Sequence, residues 1–425
     1  MSTTLGEARP LRVAKLACGV LGVLAFLGAV SCALVAGYRR PALNFDLIDY
    51  VALALEWVED DPEAVHRRTY EVLAAELPPD VFADFTSGGP PTAAGPYRER
   101  IARDWRAFDA NLGFHRGRYL YTASVCGLNA LGVPLVAATA VPNLVFWGLT
   151  ALFVFFWATR HFALGPAALL ALGILYSPPV LSLVPASTPD SMAMFLVVLS
   201  LYLVLEQRAF LASATLLTLA ILVRSDFVLI SGGVAAALFL FVERARRPSN
   251  WSMVAWLAIC IVLYLAVSRS ARDPGWWAAF SCAWTRVGVF DEVIPFKPRL
   301  YLLGMSQRLA SLIYHGYDGA PDGSFVRGSN FVLTYCAAAA GGIALALRSR
   351  LKALDVHVAV LAGLLVATAA RYVVFPQLWD RYFVYLWVPV PLCLAGMAAA
   401  LVARLNGTDG TKRTELEEDA APAES

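Results

Sequence analysis

The sequence predicts an all-α, polytopic membrane protein of about ten transmembrane helices (nine to eleven), with two large extracytoplasmic loops that carry juxtamembrane helices. Hydrophobic residues make up 59% of the 425-residue chain and charged residues only 16%, where a soluble domain has about 25% charged residues. The apolar residues also gather in uncharged runs longer than a bilayer crossing, which needs about 20 residues. The placement of Lys and Arg then gives an orientation. The net charge of +2 leaves nothing to suggest nucleic acid as a partner.

The first apolar run, 16–38, follows Arg9, Arg12 and Lys15. Its Gly-Ala-Val-Ser-Cys stretch at 28–32 has the look of a lipoprotein signal with Cys32 as the acylated residue. The run continues past Cys32 to Tyr38, so an uncleaved first span is the preferred reading. A polar segment extends from Arg39 to about residue 137 and holds most of the acids outside the tail. An insertion of that length is usually functional. Residues 119–159 carry no charge and are too long for one span; Gly132 and Pro134 divide them. We read 118–131 as a helix at or dipping into the interface and 138–158 as the second span. Further spans are expected at 162–183, 189–205, 210–223, 227–242, 251–267, 331–347, 356–374 and 382–403.

With the N-terminus inside, the short inner loops hold Arg160; Arg208; Arg244, Arg246 and Arg247; Arg348, Arg350 and Lys352; and then Arg404, Lys412 and Arg413. The short outer loops hold few cations. This alternation fits an even number of spans and puts both termini in the cytoplasm. The segments 39–137 and 268–329 then lie outside the cytoplasmic membrane, the second carrying Gly-Trp-Trp-Ala-Ala-Phe-Ser-Cys-Ala-Trp, which suits a loop in the headgroup region. Residues 1–404 form one expected transmembrane domain. Residues 405–425 read as a disordered, acidic cytoplasmic tail, in which an Asn-Gly-Thr sequon escapes glycosylation. No internal repeat is evident, which argues against most transporter folds.

Five of the seven cysteines, Cys18, Cys32, Cys260, Cys336 and Cys393, lie in apolar runs and read as small core residues. Cys126 and Cys282 fall outside them and could pair, though no spacing argues for it. With five histidines there is no zinc-type cluster.

Five short stretches gather the ionisable groups at the outer ends of the spans. In Asn44–Trp57, Asp46 shares a helix face with Tyr50 and neighbours Asp49. Repulsion between the two carboxylates would raise one pKa and suit a general base; the plainer reading is that Asn44 or Asp46 caps the helix. The residues Val51, Leu53, Ala54 and Leu55 offer an apolar face for docking on the membrane. Asp190 opens the fourth span behind Ser187-Thr188-Pro189, where it also complements the helix dipole. Arg224 and Asp226 mark the tight link between the fifth and sixth spans, either as a functional pair or as snorkelling groups that pair locally. Arg371, Asp380 and Arg381 bracket the last outer link, where Trp379 and Tyr382 are ordinary interface anchors. Arg116 and Arg118 precede the interfacial helix and could hold a lipid phosphate or rest on bulk headgroups.

In order and topology these elements resemble the GT-C superfamily of membrane glycosyltransferases, closest to its aminoarabinose transferase and protein mannosyltransferase branch. Asp46 and Tyr50 match that branch's acid-x-x-x-Tyr element after the first span. Tyr119-Leu120-Tyr121 falls at its interfacial helix, Asp190 at the acid opening span four, Arg224 at the cation after span five, and Arg381-Tyr382 at a late Arg-Tyr. The likeness covers about residues 16–230. Gly117-Arg118 replaces the usual prolines, no large soluble C-terminal domain follows, and no acid-x-acid pair accompanies Asp190. The resemblance implies a polyprenyl-phosphate sugar as donor, a glycan, lipid or protein hydroxyl as acceptor, and inversion at the anomeric carbon. Asp46 would be the base, with Asp49 as the alternative. Arg224, Arg381 and Arg118 would bind the phosphate, and Asp190, Tyr50 and Asp226 would support the acceptor or the loop. No cofactor is called for; a divalent cation stays open, without a ligand cluster to support one. The competing classes are a lipid or solute transporter, for which His357 is the mid-chain candidate, and a non-catalytic membrane protein of envelope assembly.

Overall fold

The computed structural model describes residues 9–87, 95–244, 247–285, 295–314, 329–349, 354–375 and 380–406. The expected tail, Arg246, Arg350, Lys352, Trp379 and the side chains of Cys282 and Asp380 lie outside the described residues. The described residues are helical and contain no strand. The first helix, α1 (Arg9–Arg39), leads into five short helices: α2 (Asp46–Leu55), α3 (Pro62–Glu76), α4 (Pro79–Ser87), α5 (Gly95–Arg103) and α6 (Trp105–Leu112). Next come α7 (Tyr119–Ala130), α8 (Leu135–Ala158), α9 (Leu164–Leu175), α10 (Pro178–Leu181), α11 (Asp190–Leu205), α12 (Phe210–Val223), α13 (Val228–Phe241) and α14 (Asn250–Ser270). The chain ends with α15 (Trp276–Thr285), α16 (Pro298–Tyr314), α17 (Ser329–Ser349), α18 (Asp355–Val374), α19 (Val384–Trp387) and α20 (Pro389–Leu405).

Six segments are long and apolar enough to cross a membrane: Leu16–Arg39, Leu135–Ala158, Asn250–Ser270, Phe331–Ser349, Asp355–Val374 and Arg381–Leu405. The helices α9, α11, α12 and the Ser225–Phe241 stretch are apolar but shorter. The protein is thus an all-helical, membrane-embedded chain. Each of the ten expected spans overlaps one of these segments. The expected third span, 162–183, is broken after α9, because Pro178 and Pro179 start a new turn behind an extended Ser177. The divide at Gly132 and Pro134 falls where expected. Gly132 takes φ +90°, which favours glycine, and Pro134 directly precedes α8. The first helix runs unbroken through Cys32. Cys126 is a free thiol whose S–H reaches the carbonyl of Ala54.

Helix α2 departs from expectation. Its residues Leu47–Leu55 are all buried, so the apolar face made by Val51, Leu53, Ala54 and Leu55 packs into the protein rather than onto a membrane. It sits among α3, α6, α7 and α8. Phe45, not Asn44 or Asp46, precedes the helix, and no side chain caps it. Asp46 is therefore released from capping and available to a distant partner.

The tightest helix pair is α13 with α18. A Cβ on Gly233 would fall 2.5 Å from the carbonyl oxygen of Gly363, and one on Gly363 would fall 2.8 Å from Cα of Val234. Both obstacles are backbone, so no side-chain rotation relieves them. This approach brings Arg371, in the last turn of α18, to Asp226, just ahead of α13. The Gly363→Ala variant is expected to lose about 1–3 kcal/mol through overpacking, read as a lower unfolding temperature in detergent. Gly341→Ala, which meets nothing within 4 Å, should leave that temperature unchanged or raise it.

Candidate functional site

Two charge groups meet at one end of the bundle. The first is built on α2. Asp49 is 2% exposed and has both oxygens engaged. Asn111, in the last turn of α6, donates from Nδ2 to Oδ1 at 2.8 Å, and the Tyr97 hydroxyl donates to Asn111 Oδ1 at 2.5 Å. The Nδ1 of His115 lies 2.9 Å from Asp49 Oδ2. That nitrogen is not aligned as a hydrogen-bond donor, so the contact is an ion pair. Tyr50 is fully buried, stacks on the His115 ring at 5.7 Å and meets Tyr121 edge-on at 4.8 Å. The Arg118 guanidinium lies 5.3 Å from the centre of the Tyr50 ring.

The second group surrounds Arg224, which is 5% exposed. Helix α12 stops at this residue in an extended conformation, φ −152°, and a 3-10 turn, Ser225–Phe227, follows. The turn points Asp226 back at the guanidinium. Arg224 Nη2 and Nε lie 2.9 and 3.1 Å from the two Asp226 oxygens. Arg224 Nη1 donates to Asp190, the first residue of α11, and at 3.1 Å to the backbone carbonyl of Arg381. Arg381 in turn donates to Asp46. Arg371 Nε lies 3.0 Å from Asp226 Oδ2. The ring of Tyr382 has three guanidiniums around it: Arg371 at 4.7 Å, Arg224 at 5.2 Å and Arg381 at 5.3 Å. Each such contact adds about 0.5–2 kcal/mol of attraction, more as the site dries.

Of the site residues singled out in the sequence, Asp46, Asp49, Tyr50, Arg118, Asp190, Arg224, Asp226, Arg371 and Arg381 belong to this assembly. Arg116 does not. Glu56 accepts from it in a two-oxygen clasp at 3.1 and 3.2 Å, and Asp109 accepts from it as well. Arg116 therefore pins the α6–α7 connection and is not available to a phosphate. The sequence reading missed His115 and Asn111. They are four residues apart, a spacing that puts a His and an amide on one side of a helical turn, and both face Asp49.

The electrostatics also differ from expectation. Closeness of Asp46 and Asp49 does not raise the Asp46 pKa. Burial works against its charged form, but Arg381 first, then His115 and Arg118, hold it down to about 2. His115 moves the other way. Burial opposes its charge, yet Asp49 and Asp46 raise it above the ordinary 6.5. Arg118 is pulled below the usual arginine value, first by burial and then by the neighbouring Arg224 and Arg381. Among the described residues, Arg118 has no carboxylate in ion-pair contact, whereas Arg224 has two and Arg371 and Arg381 have one each. With His115 protonated, the four aspartates and four arginines leave one net positive charge.

One oxygen of Asp46, one of Asp49 and one nitrogen of His115 lie within 4.8 Å of each other. Arg381 pairs with Asp46, and Asn111 and His115 pair with Asp49, so the two carboxylates of this trio have partners within the protein. His357 is elsewhere: it precedes Arg371 by fourteen residues on α18, about 21 Å at 1.5 Å per residue. It neighbours His161, whose Nε2 is 2.9 Å from Glu206 Oε1. Comparison of the chain with protein-family models, with curated proteins and with solved structures finds no match.

The Asp46–Arg381 pair makes a pH-dependent contribution to stability. Because the folded-state pKa of about 2 lies below the ordinary 3.8, that contribution is complete above pH 3.8 and disappears as the pH falls through 2. In detergent, Asp46→Asn is expected to unfold at a lower temperature than the wild type near neutrality, with the gap closing between about pH 4 and about pH 2.

Proposed function

We propose that this protein is a membrane glycosyltransferase that moves a sugar from a polyprenyl-phosphate donor to an acceptor hydroxyl at the outer face of the cytoplasmic membrane, with inversion. The observation that carries this reading is Arg118. It is a half-buried cation without a carboxylate partner among the described residues, and it sits beside a carboxylate, Asp46, that Arg381 holds. An anionic group and a hydroxyl are what such a pair accommodates. The site's position at the ends of apolar helices supports a ligand whose head is polar and whose tail is lipid. The order of Asp46, Tyr50, Asp190, Arg224 and Arg381 supports the GT-C reading as before.

In this reading ten spans cross the membrane with both termini cytoplasmic. The donor phosphate binds Arg118 and competes with Asp46 for Arg381. Arg224 supplies further positive potential, steered by Asp190 and Asp226. As Arg381 turns to the phosphate, Asp46 is freed to accept a hydrogen bond from the acceptor hydroxyl. The hydroxyl gives up its proton to a base of the site, and its oxygen attacks the anomeric carbon opposite the phosphate, so the centre inverts. The leaving phosphate needs no proton; positive groups fixed where its charge develops stabilise the transition state. A transporter would place its ionisable groups near the bilayer midplane, whereas this site is confined to helix ends.

Purified protein incubated with a panel of labelled polyprenyl-phosphate sugars is expected to consume at least one, by transfer or by slow hydrolysis; consumption of none rejects the proposal. Asp46→Asn should fold and lose about 10²–10⁴ in turnover, because the carboxylate that engages the acceptor hydroxyl is gone. Arg118→Gln should weaken donor binding about tenfold to a hundredfold, as expected for one hydrogen bond to a charged group.

A further inference from the structure

We infer that His115, held by Asp49, is the catalytic group that receives the acceptor's proton, and that Asp46 orients the acceptor hydroxyl without keeping its proton. The inference rests on the transferase reading and assigns a role within the same site. Asp46 faces Arg381, His115 and Arg118, and its carboxylate is held at about 2. It is a good hydrogen-bond acceptor and a poor resting place for a proton at neutral pH. A base works best when its pKa lies near the operating pH.

The surroundings of His115 fix the ring as a base needs. Its Nδ1 faces Asp49 at 2.9 Å, and Asp49 is in turn fixed through Asn111 to Tyr97. Stacking on Tyr50, with 24° between the planes, sets the ring's tilt. Of the two ring nitrogens only Nδ1 is a buried atom lacking a hydrogen bond. A carboxylate beside Nδ1 favours the tautomer with its proton there and leaves the lone pair on Nε2. A ring nitrogen of His115 and an oxygen of Asp46 lie no more than 4.8 Å apart, so a hydroxyl held on Asp46, with its oxygen about 2.7–2.8 Å from the carboxylate, lies beside the His115 ring. The charged and titratable groups facing the ring are Asp49, Asp46 and Tyr50 of α2, and Arg381 of the 3-10 turn before α19.

The step balances. The acceptor O–H bond breaks and its proton goes to the unprotonated ring nitrogen of His115. The oxygen's electron pair forms the new bond to the anomeric carbon. The bond from that carbon to the phosphate oxygen breaks, and its pair leaves with the polyprenyl phosphate. His115 then releases the proton to solvent. Asp49 is a positioning residue, which keeps the ring oriented and stabilises the imidazolium.

The neutral imidazole is the active form, and its pKa lies above 6.5. The rate at saturating donor should therefore rise with pH through a midpoint above 6.5, whereas an Asp46 base would give a flat profile from about pH 5.5 to about pH 9. The assay is consumption of whichever labelled polyprenyl-phosphate sugar the protein uses, with water or the acceptor as nucleophile. His115→Gln should retain the labelled donor, lose about 10²–10⁴ in rate and lose the rising limb. Asp49→Asn should move the limb to lower pH, because the carboxylate that raises His115 is gone. A flat wild-type profile, or His115→Gln that keeps both rate and limb, overturns the inference while leaving the transferase reading intact. Consumption of no donor by the wild type overturns both. If His115→Gln does not fold, the wild-type and Asp49→Asn profiles decide.

Discussion

The guanidinium of Arg224 is the constraint on which the rest of the site depends. It is almost wholly buried, and a buried charge is tolerated only when its donors are satisfied. Asp190, Asp226 and the carbonyl of Arg381 meet that requirement from three separate parts of the chain. Because the carbonyl belongs to Arg381, satisfying one arginine also positions the next, and the Arg381 side chain reaches Asp46 on α2. A residue near the start of the chain and one near its end are thereby joined through a hub in the middle. Removing any one partner strands a charge, which typically costs about 3–5 kcal/mol when a buried pair is broken.

Helix packing makes this arrangement affordable in geometry. Two glycines let α13 and α18 approach with backbone against backbone, and that closeness sets Arg371 on Asp226. The Tyr382 ring serves three guanidiniums. Aromatic contact offsets part of the repulsion between like charges that lie so near one another. A second polar cluster, His161 after α8, Glu206 at the end of α11 and His357 in the first turn of α18, lies far along α18 from Arg371. The two clusters are separated by apolar helix, as a chain embedded in lipid requires.

The balance of charge decides what the site can accept. Paired aspartates and arginines cancel, and Arg118 is a half-buried cation without a carboxylate partner among the described residues, resting on Tyr50. Such a group is poised for an anion that brings its own charge. The depressed Asp46 and the raised His115 follow from the same distribution. Cations surround the first, and carboxylates surround the second. Two groups whose environments drive their pKa values apart suit different roles in one reaction.

The sequence alone determined the helical, membrane-embedded class, since uncharged runs of bilayer length have few other uses. It also located the charged stretches at helix ends, because an ionisable residue in an apolar run stands out against its neighbours. Asp46, Asp190, Arg224 and Arg381 were legible for that reason. What it could not supply was pairing. Asp46 and Arg381 are far apart in sequence, and no local pattern announces their contact; His115 and Asn111 lie among ordinary loop residues, where only proximity to Asp49 gives them meaning. Local spacing suggested that two neighbouring acids would raise a pKa, and that Arg116 and Arg118 were alike. Tertiary structure reversed the first by bringing cations to Asp46, and separated the second by giving Arg116 to Glu56 and Asp109 while leaving Arg118 open. Sequence spacing fixes which residues share an element, but the sign of the field at a site depends on every charge the fold brings near it.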